Sequence, residues 1–168
     1  MTTAFTRHCG GCPMSPDHAM RQVRVLGDGC AALSLAARAD ELAGHRLTLV
    51  RPQGAPQETD HIWGFWDGPN LAAASRLARK RWHSWSIVTR RGKAILRSQE
   101  RPYTALHRLD WTAHCREAAS RAGVAILTGG EAATAADQVF DSRPPPVPDG
   151  MMLQHFLGLE VRSRRAIF

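Results

Sequence analysis

A chain of 168 residues, 43% apolar and 22% charged, suffices for one compact domain burying roughly two-thirds of its unfolded surface. That composition excludes a wholly disordered chain and a collagen. Twenty-two basic against fifteen acidic side chains leave a formal charge of +7, nearly all from arginine, since only Lys80 and Lys93 are lysines. No charge-free stretch approaches the roughly 20 residues of a spanning helix. The start of the chain also lacks the apolar run of a secretory signal. The expected location is the cytoplasm, or the inner face of the membrane.

Residues 1–20 read as a flexible leader. Cys9 and Cys12 form a close pair that His8 or His18 could complete around zinc, but a structural site calls for a second pair at matching spacing. No metal site is expected. Cys30 and Cys115 stand alone in helical patterns, where small buried cysteines are ordinary.

Val23, Val25 and Leu26 form a short apolar run ending at Gly27. Helical spacing then runs from Cys30 to Leu42, with Gly44 as its stop. Leu47, Leu49 and Val50 make a second strand. Strand, glycine turn, helix and strand within about thirty residues is the βαβ unit of a parallel sheet.

Pro52–Asp60 reads as a loop leading to the aromatic segment His61–Trp66. A helix is predicted over Leu71–Arg81, with Leu71, Ala74, Leu77 and Ala78 on one face. Ser84–Thr89 and Lys93–Ser98 read as an antiparallel pair turning at Arg90-Arg91-Gly92. Asp110 is the predicted N-cap of a helix over Trp111–Ser120 that Gly123 ends. Val124–Leu127 and Gln138–Phe140 are further short strands. The proline run Pro144–Pro148 reads as an extended connector, and Met152–Val161 is apolar again. The chain closes at Arg164-Arg165-Ala166-Ile167-Phe168 without a terminator, so a fragment or a truncated product is expected.

The fold class expected is therefore α/β, a Rossmann-like FAD/NAD(P)-binding βαβ parallel sheet with an inserted antiparallel hairpin, truncated. Its parts are the leader (1–20), the nucleotide-binding domain (21–143), and a proline-rich connector opening a substrate-domain segment (144–168).

Gly27, Asp28, Gly29, Cys30, Ala31 and Ala32 fit G-x-G-x-x-G/A in the context that gives the pattern meaning, after a strand and opening a helix. The first glycine permits the turn. The second removes a Cβ so that main chain can approach a pyrophosphate resting on the helix N-terminus, and Ala32 allows close helix–strand packing. The end of the second strand carries Arg51 where an acidic residue would hold a ribose hydroxyl. Losing that charge-assisted bond costs about 1.5–3 kcal/mol, whereas an arginine can meet a 2′-phosphate, which would favour NADP, so these residues alone leave the cofactor open.

The turn, the His61–Trp66 segment, Trp82, Trp85, Tyr103, Val139–Arg143 and Leu153–Val161 together resemble the bacterial lycopene cyclase family of carotenoid cyclases, which are FAD/NAD(P)-binding flavoproteins. The resemblance implies that Gly27, Gly29 and Ala32 lie against FAD and that Asp141 and Arg143 face the cofactor. It implies a lycopene-like polyene as substrate and NADPH as reductant. The sequence departs from the family pattern at Arg51 and at Pro144, where glycine is usual.

Redox-neutral cyclisation of a polyene end needs an acid kept protonated by a desolvated site. No carboxylate here forms a persuasive acid–base pair. Asp40, Glu41 and Glu117 read as solvated helix charges, and His107 and His114 could share a helical face. No catalytic residue is assigned, and the isolated chain is expected to be inactive. The segment Arg76–Arg97 carries eight cations and no acid, interleaved with Trp82 and Trp85. It suits a solvated basic face or a peripheral contact with an anionic membrane. Without an accompanying recognition motif, no nucleic-acid partner is expected; a basic nucleic-acid or membrane-surface module without catalysis is the alternative to the enzyme.

Overall fold

The computed structural model describes residues 20–55, 57–129 and 135–144. The leader with its Cys9/Cys12 pair, and most of the proline run with the apolar segment after it, lie outside them.

Strand β1 (Arg21–Leu26) is the heart of the larger sheet. It runs parallel to β2 (His45–Arg51) on one side and to β9 (Gln138–Asp141) on the other. Strand β8 (Ala125–Thr128) extends the sheet beyond β2, giving the order β8-β2-β1-β9. Register sets Val23 beside Leu47 and Val25 beside Leu49. Alternate side chains of a strand point to one face, so these four branched residues form one apolar surface.

Helices α1 (Cys30–Ala36) and α3 (Arg108–Arg121) close over that surface. Leu33, Ala36, Leu49, Cys115 and Ala119 are wholly buried there. Small residues at Ala36, Cys115 and Ala119 let the helices approach closely. The Trp111 indole N–H, donating to the Ser34 hydroxyl at 3.0 Å, ties α3 to α1. A leucine buried this completely contributes roughly 1.5–3 kcal/mol.

The connection from β2 to α3 builds a second sheet. Strands β3 (Ile62–Trp66) and β4 (Lys80–Trp82) flank β7 (Tyr103–His107), both antiparallel to it. A short helix α2 (Ala72–Arg76) lies between β3 and β4. The expected hairpin is present as β5 (Ser84–Thr89) and β6 (Gly92–Arg97), a separate two-stranded ribbon.

Several sequence expectations need correction. The helix predicted from Cys30 to Leu42 ends at Ala36. A single 3-10 turn, Ala39–Glu41, follows, and Gly44 at φ +74° turns the chain into β2. The helix predicted over Leu71–Arg81 survives only as Ala72–Arg76, because Lys80, Arg81 and Trp82 pair with β7 instead. Ladder pairing and the packing of Trp82 on Tyr103 override the helical pattern there. Strand β7 itself was not predicted, although Thr104, Ala105 and Leu106 are all buried. Helix α3 begins at Arg108 rather than Trp111. Asp110 lies in its first turn, and the Asp60 carboxylate accepts the Leu109 N–H at 3.1 Å in its place. Gly123, at φ +72°, does end that helix.

Candidate functional site

The glycine turn occupies the carboxyl end of β1, at the centre of the parallel sheet, where open α/β sheets bind their ligands. Gly27 holds φ +110°, a conformation that side-chain-bearing residues avoid, and its N–H donates to the Val50 carbonyl at 2.8 Å. A Cβ on Gly27 would meet the Ser142 hydroxyl, whereas a Cβ on Gly29 would meet nothing within 4 Å. The first glycine is thus required by the protein's own packing. The second leaves bare main chain facing open space, the feature a diphosphate needs.

Ala32 is buried against the sheet, Cys30 is half-buried with its Sγ 3.9 Å from the Ser34 hydroxyl, and Ala31 is exposed. Helix α1 is only seven residues long, and no acidic side chain occupies its first turn. Its dipole is correspondingly modest, so an anion at this turn would depend on main-chain donors and nearby arginines.

Asp141 and Arg143 arrive beside the turn because β9 pairs in register with β1, Leu26 opposite Asp141. The Ser142 N–H donates to the Leu26 carbonyl at 2.9 Å, which locks the two segments together. Arg143 binds Asp141 through Nη2 at 2.6 Å and Nε at 2.8 Å, and both side chains are about half exposed. The Arg143 guanidinium pulls the Asp141 carboxyl down to about 2.

The fourth feature was invisible in the sequence. Arg51, at the end of β2, reaches Asp28 at 3.5 Å. Arg116 of α3 reaches the same carboxylate at 3.5 Å and grips Glu58 with two nitrogens, at 2.8 and 3.0 Å. Arg108 adds a contact to Glu58 at 3.6 Å. Five side chains from the turn, β2, the following loop and α3 thus form one charge network in front of Asp28. The Glu58 pKa lies below that of an ordinary carboxyl, first because of the hydrogen bond from Arg116 and then because of the positive charges around it. Arg51, expected to be available to a 2′-phosphate, is engaged with Asp28. Only long-range packing brings Glu58 and Arg116 together, and no local pattern signals either.

Other expectations fall away from the turn. His107 ends β7, with Nδ1 2.7 Å from the Asp60 carboxylate, while His114 lies on α3 against Trp111; they share no helical face. Glu41 pairs with Arg38 and Glu117 with Arg121 on the surface. No cluster of three metal-ligating side chains occurs among the described residues. The basic stretch divides between α2, β4 and the ribbon. Its tryptophans join an aromatic group in which the Trp66 ring lies 5.3 Å from Tyr103 and 6.3 Å from Trp85.

Solved structures with a similar arrangement include a mutant of 2-methyl-3-hydroxypyridine-5-carboxylic acid oxygenase (17% identity, TM-score 0.50, covering 65% of this chain and 31% of that one). The peptidyl tryptophan dihydroxylase QhpG is another (17% identity, TM-score 0.50, covering 79% and 35%). A third is CtdE in complex with FAD and a substrate (18% identity, TM-score 0.48, covering 64% and 30%). The chain spans about a third of the length of these proteins, and the first two likenesses establish a shared Rossmann-like fold. No curated protein matches it. The family model described as "Lycopene cyclase protein" matches residues 22–168. With nearly its whole length under that match, this chain belongs to the lycopene cyclase family.

Proposed function

We propose that the chain is the nucleotide-binding part of a carotenoid cyclase-like flavoprotein, with FAD held along the Gly27–Ala32 turn. The observation that carries this reading is the bare main chain of Gly29, opening into free space on a turn flanked by β2, which ends in Arg51, and by β9, which leads into Arg143. Main-chain donors and guanidiniums suit a diphosphate. FAD as the nucleotide follows from the likeness to the lycopene cyclase family, whose members are FAD/NAD(P)-binding flavoproteins, and NADPH is its proposed reductant. Held by the Gly27–Ala32 main chain, a reduced flavin would supply electron density near a cationic polyene.

The reaction proposed for the complete protein is redox-neutral. A proton adds to a terminal alkene carbon of a lycopene-like polyene, an internal alkene closes a six-membered ring on the resulting cation, and a proton leaves a neighbouring carbon. The acid must stay protonated in a dry site. Every described carboxylate with a displaced pKa, namely Glu41, Glu58, Asp60, Asp67 and Asp141, has it displaced downward. Those groups are carboxylates at neutral pH and poor proton donors. None of these five is thus assigned to the protonation, and the chain alone is proposed to be inactive.

The protein purified with FAD should retain flavin absorbance, and Gly29→Trp should abolish it; equal retention by both would overturn the reading. Lycopene incubated with the chain, FAD and NADPH should stay linear, and any cyclic product would refute the proposed inactivity.

A peripheral contact with an anionic membrane face, on the cytoplasmic side, is supported by the ribbon. Arg90, Arg91 and Lys93 cluster at its turn, next to the exposed aliphatic side chains Ile87, Val88, Ile95 and Leu96. Each cation near an anionic surface contributes about 1 kcal/mol. Vesicles containing anionic lipid should sediment the protein, and Arg90→Glu with Arg91→Glu should release it. Sedimentation unchanged by the double substitution would argue against the contact.

A further inference from the structure

We infer that Glu58 takes the ribose-binding role that Arg51 leaves vacant at the end of β2, so that this chain binds the adenosine ribose through a carboxylate delivered by a loop. The inference rests on the nucleotide-binding reading and concerns which residue recognises the sugar.

The acceptor for a ribose hydroxyl belongs at the end of the second strand, across from the glycine turn. That strand ends in Arg51, a residue with donors and no acceptor. Seven positions later the chain brings a carboxylate to the same place. Glu58 feels the Arg51 charge and shares the Arg116 guanidinium with Asp28 of the turn, so one side chain links it to the glycine segment.

The position of Glu58 is built in. Its loop is fastened to the start of α3: Arg108 donates to the Thr59 carbonyl at 2.8 Å through Nη1 and to the His61 carbonyl at 2.9 Å through its main-chain N–H. The Asp60 carboxylate accepts the Leu109 N–H. Two guanidiniums keep Glu58 ionised, hence an acceptor only. A carboxylate has about four lone-pair sites; the paired contact from Arg116 uses two and leaves capacity for sugar hydroxyls.

Asp28, the other carboxylate of the network, is the weaker choice. It sits inside the turn where the diphosphate would lie, and Arg51 and Arg116 both neutralise it at 3.5 Å. Arg116 and Arg108 act as positioning residues for Glu58.

The test is displacement of FAD, followed by flavin fluorescence, with ADP and with 2′,3′-dideoxy-ADP. The wild-type protein should bind ADP about ten- to hundredfold more tightly than the dideoxy compound, the range expected for a hydrogen bond to a charged acceptor. Glu58→Gln should cut that preference to less than about threefold, whereas Glu117→Gln, at the exposed pair with Arg121 on α3, should keep it. A general loss of structure would weaken both ligands together and leave their ratio unchanged. If FAD binds but the wild type treats the two competitors alike, the inference fails while the nucleotide reading stands. A preference that persists in Glu58→Gln also overturns it. If Glu58→Gln does not fold, Glu58→Asp, which keeps the charge but draws it back by one methylene, should lower the preference, and an unchanged preference would overturn the inference. Absence of any FAD binding removes the nucleotide reading and this inference together.

Discussion

The Ser142 hydroxyl lies 2.5 Å from the point a Cβ on Gly27 would occupy, because that hydroxyl donates to the Leu26 carbonyl at 2.8 Å. The connection between β9 and the turn therefore has no room for a side chain. Gly27→Ala combines this clash with a left-handed backbone that costs about 1–2 kcal/mol. Its urea midpoint should fall by the equivalent of about 1–3 kcal/mol. Gly29→Ala, with ordinary φ and open space, should stay within about 0.5 kcal/mol of the parent. Equal stability of the two variants would contradict the packing of β9 on the turn.

A second close approach joins the antiparallel strands. A Cβ on Gly64 would come within 2.5 Å of the Tyr103 Cζ and would overlap its hydroxyl. Gly64→Ala must displace that ring from its contacts with Trp66 and Trp82, and overpacking of this kind costs about 1–3 kcal/mol. The loss should shrink when Tyr103 is already alanine, which a double-mutant cycle on thermal unfolding would measure. Additive losses would rule out the contact.

The Glu58–Arg116 pair predicts a pH dependence of stability. Glu58 has a lower pKa folded than unfolded, so its contribution is complete above the unfolded value of about 4.3 and disappears as pH falls through the lower folded value. Wild type should exceed Glu58→Gln by about 1–2 kcal/mol at pH 7, and the two should converge as the pH is taken below about 4. A difference that stays constant over that range would mean the pair is not ionic in effect. Asp141, drawn down to about 2 by Arg143, follows the same sign, its contribution vanishing only near that pH.

Cys115 offers a chemical check of the core. Burial pushes its thiol up to about 11, and its side chain is wholly covered between α1 and α3. Thiolate, not thiol, is the nucleophile. An alkylating reagent at pH 8 should label the half-buried Cys30 well before Cys115, as peptide mapping would show. Rapid labelling of Cys115 in the native protein would mean that the two helices do not pack as described.

Features with local causes were legible along the chain. The βαβ unit was legible because alternating branched residues, a glycine turn and a helical stretch follow one another without interruption, and the ribbon because its turn residues lie between two β-rich runs. The same locality revealed the absence of an acid at the end of β2. Tertiary structure decided the rest. The helical pattern after Leu71 yielded to β7 at Lys80, because ladder hydrogen bonds and the Tyr103 ring outweigh a weak intrinsic preference. Strand β7 escaped notice because its buried Thr104 breaks the apolar signature. Above all, the charge network could not be read in advance: Asp28, Arg51 and Glu58 belong to three different segments, and Arg116 links Asp28 to Glu58 only when α3 packs on the parallel sheet. Coulomb attraction and hydrogen bonding act through a few ångströms of space, whereas sequence patterns register neighbours along the chain.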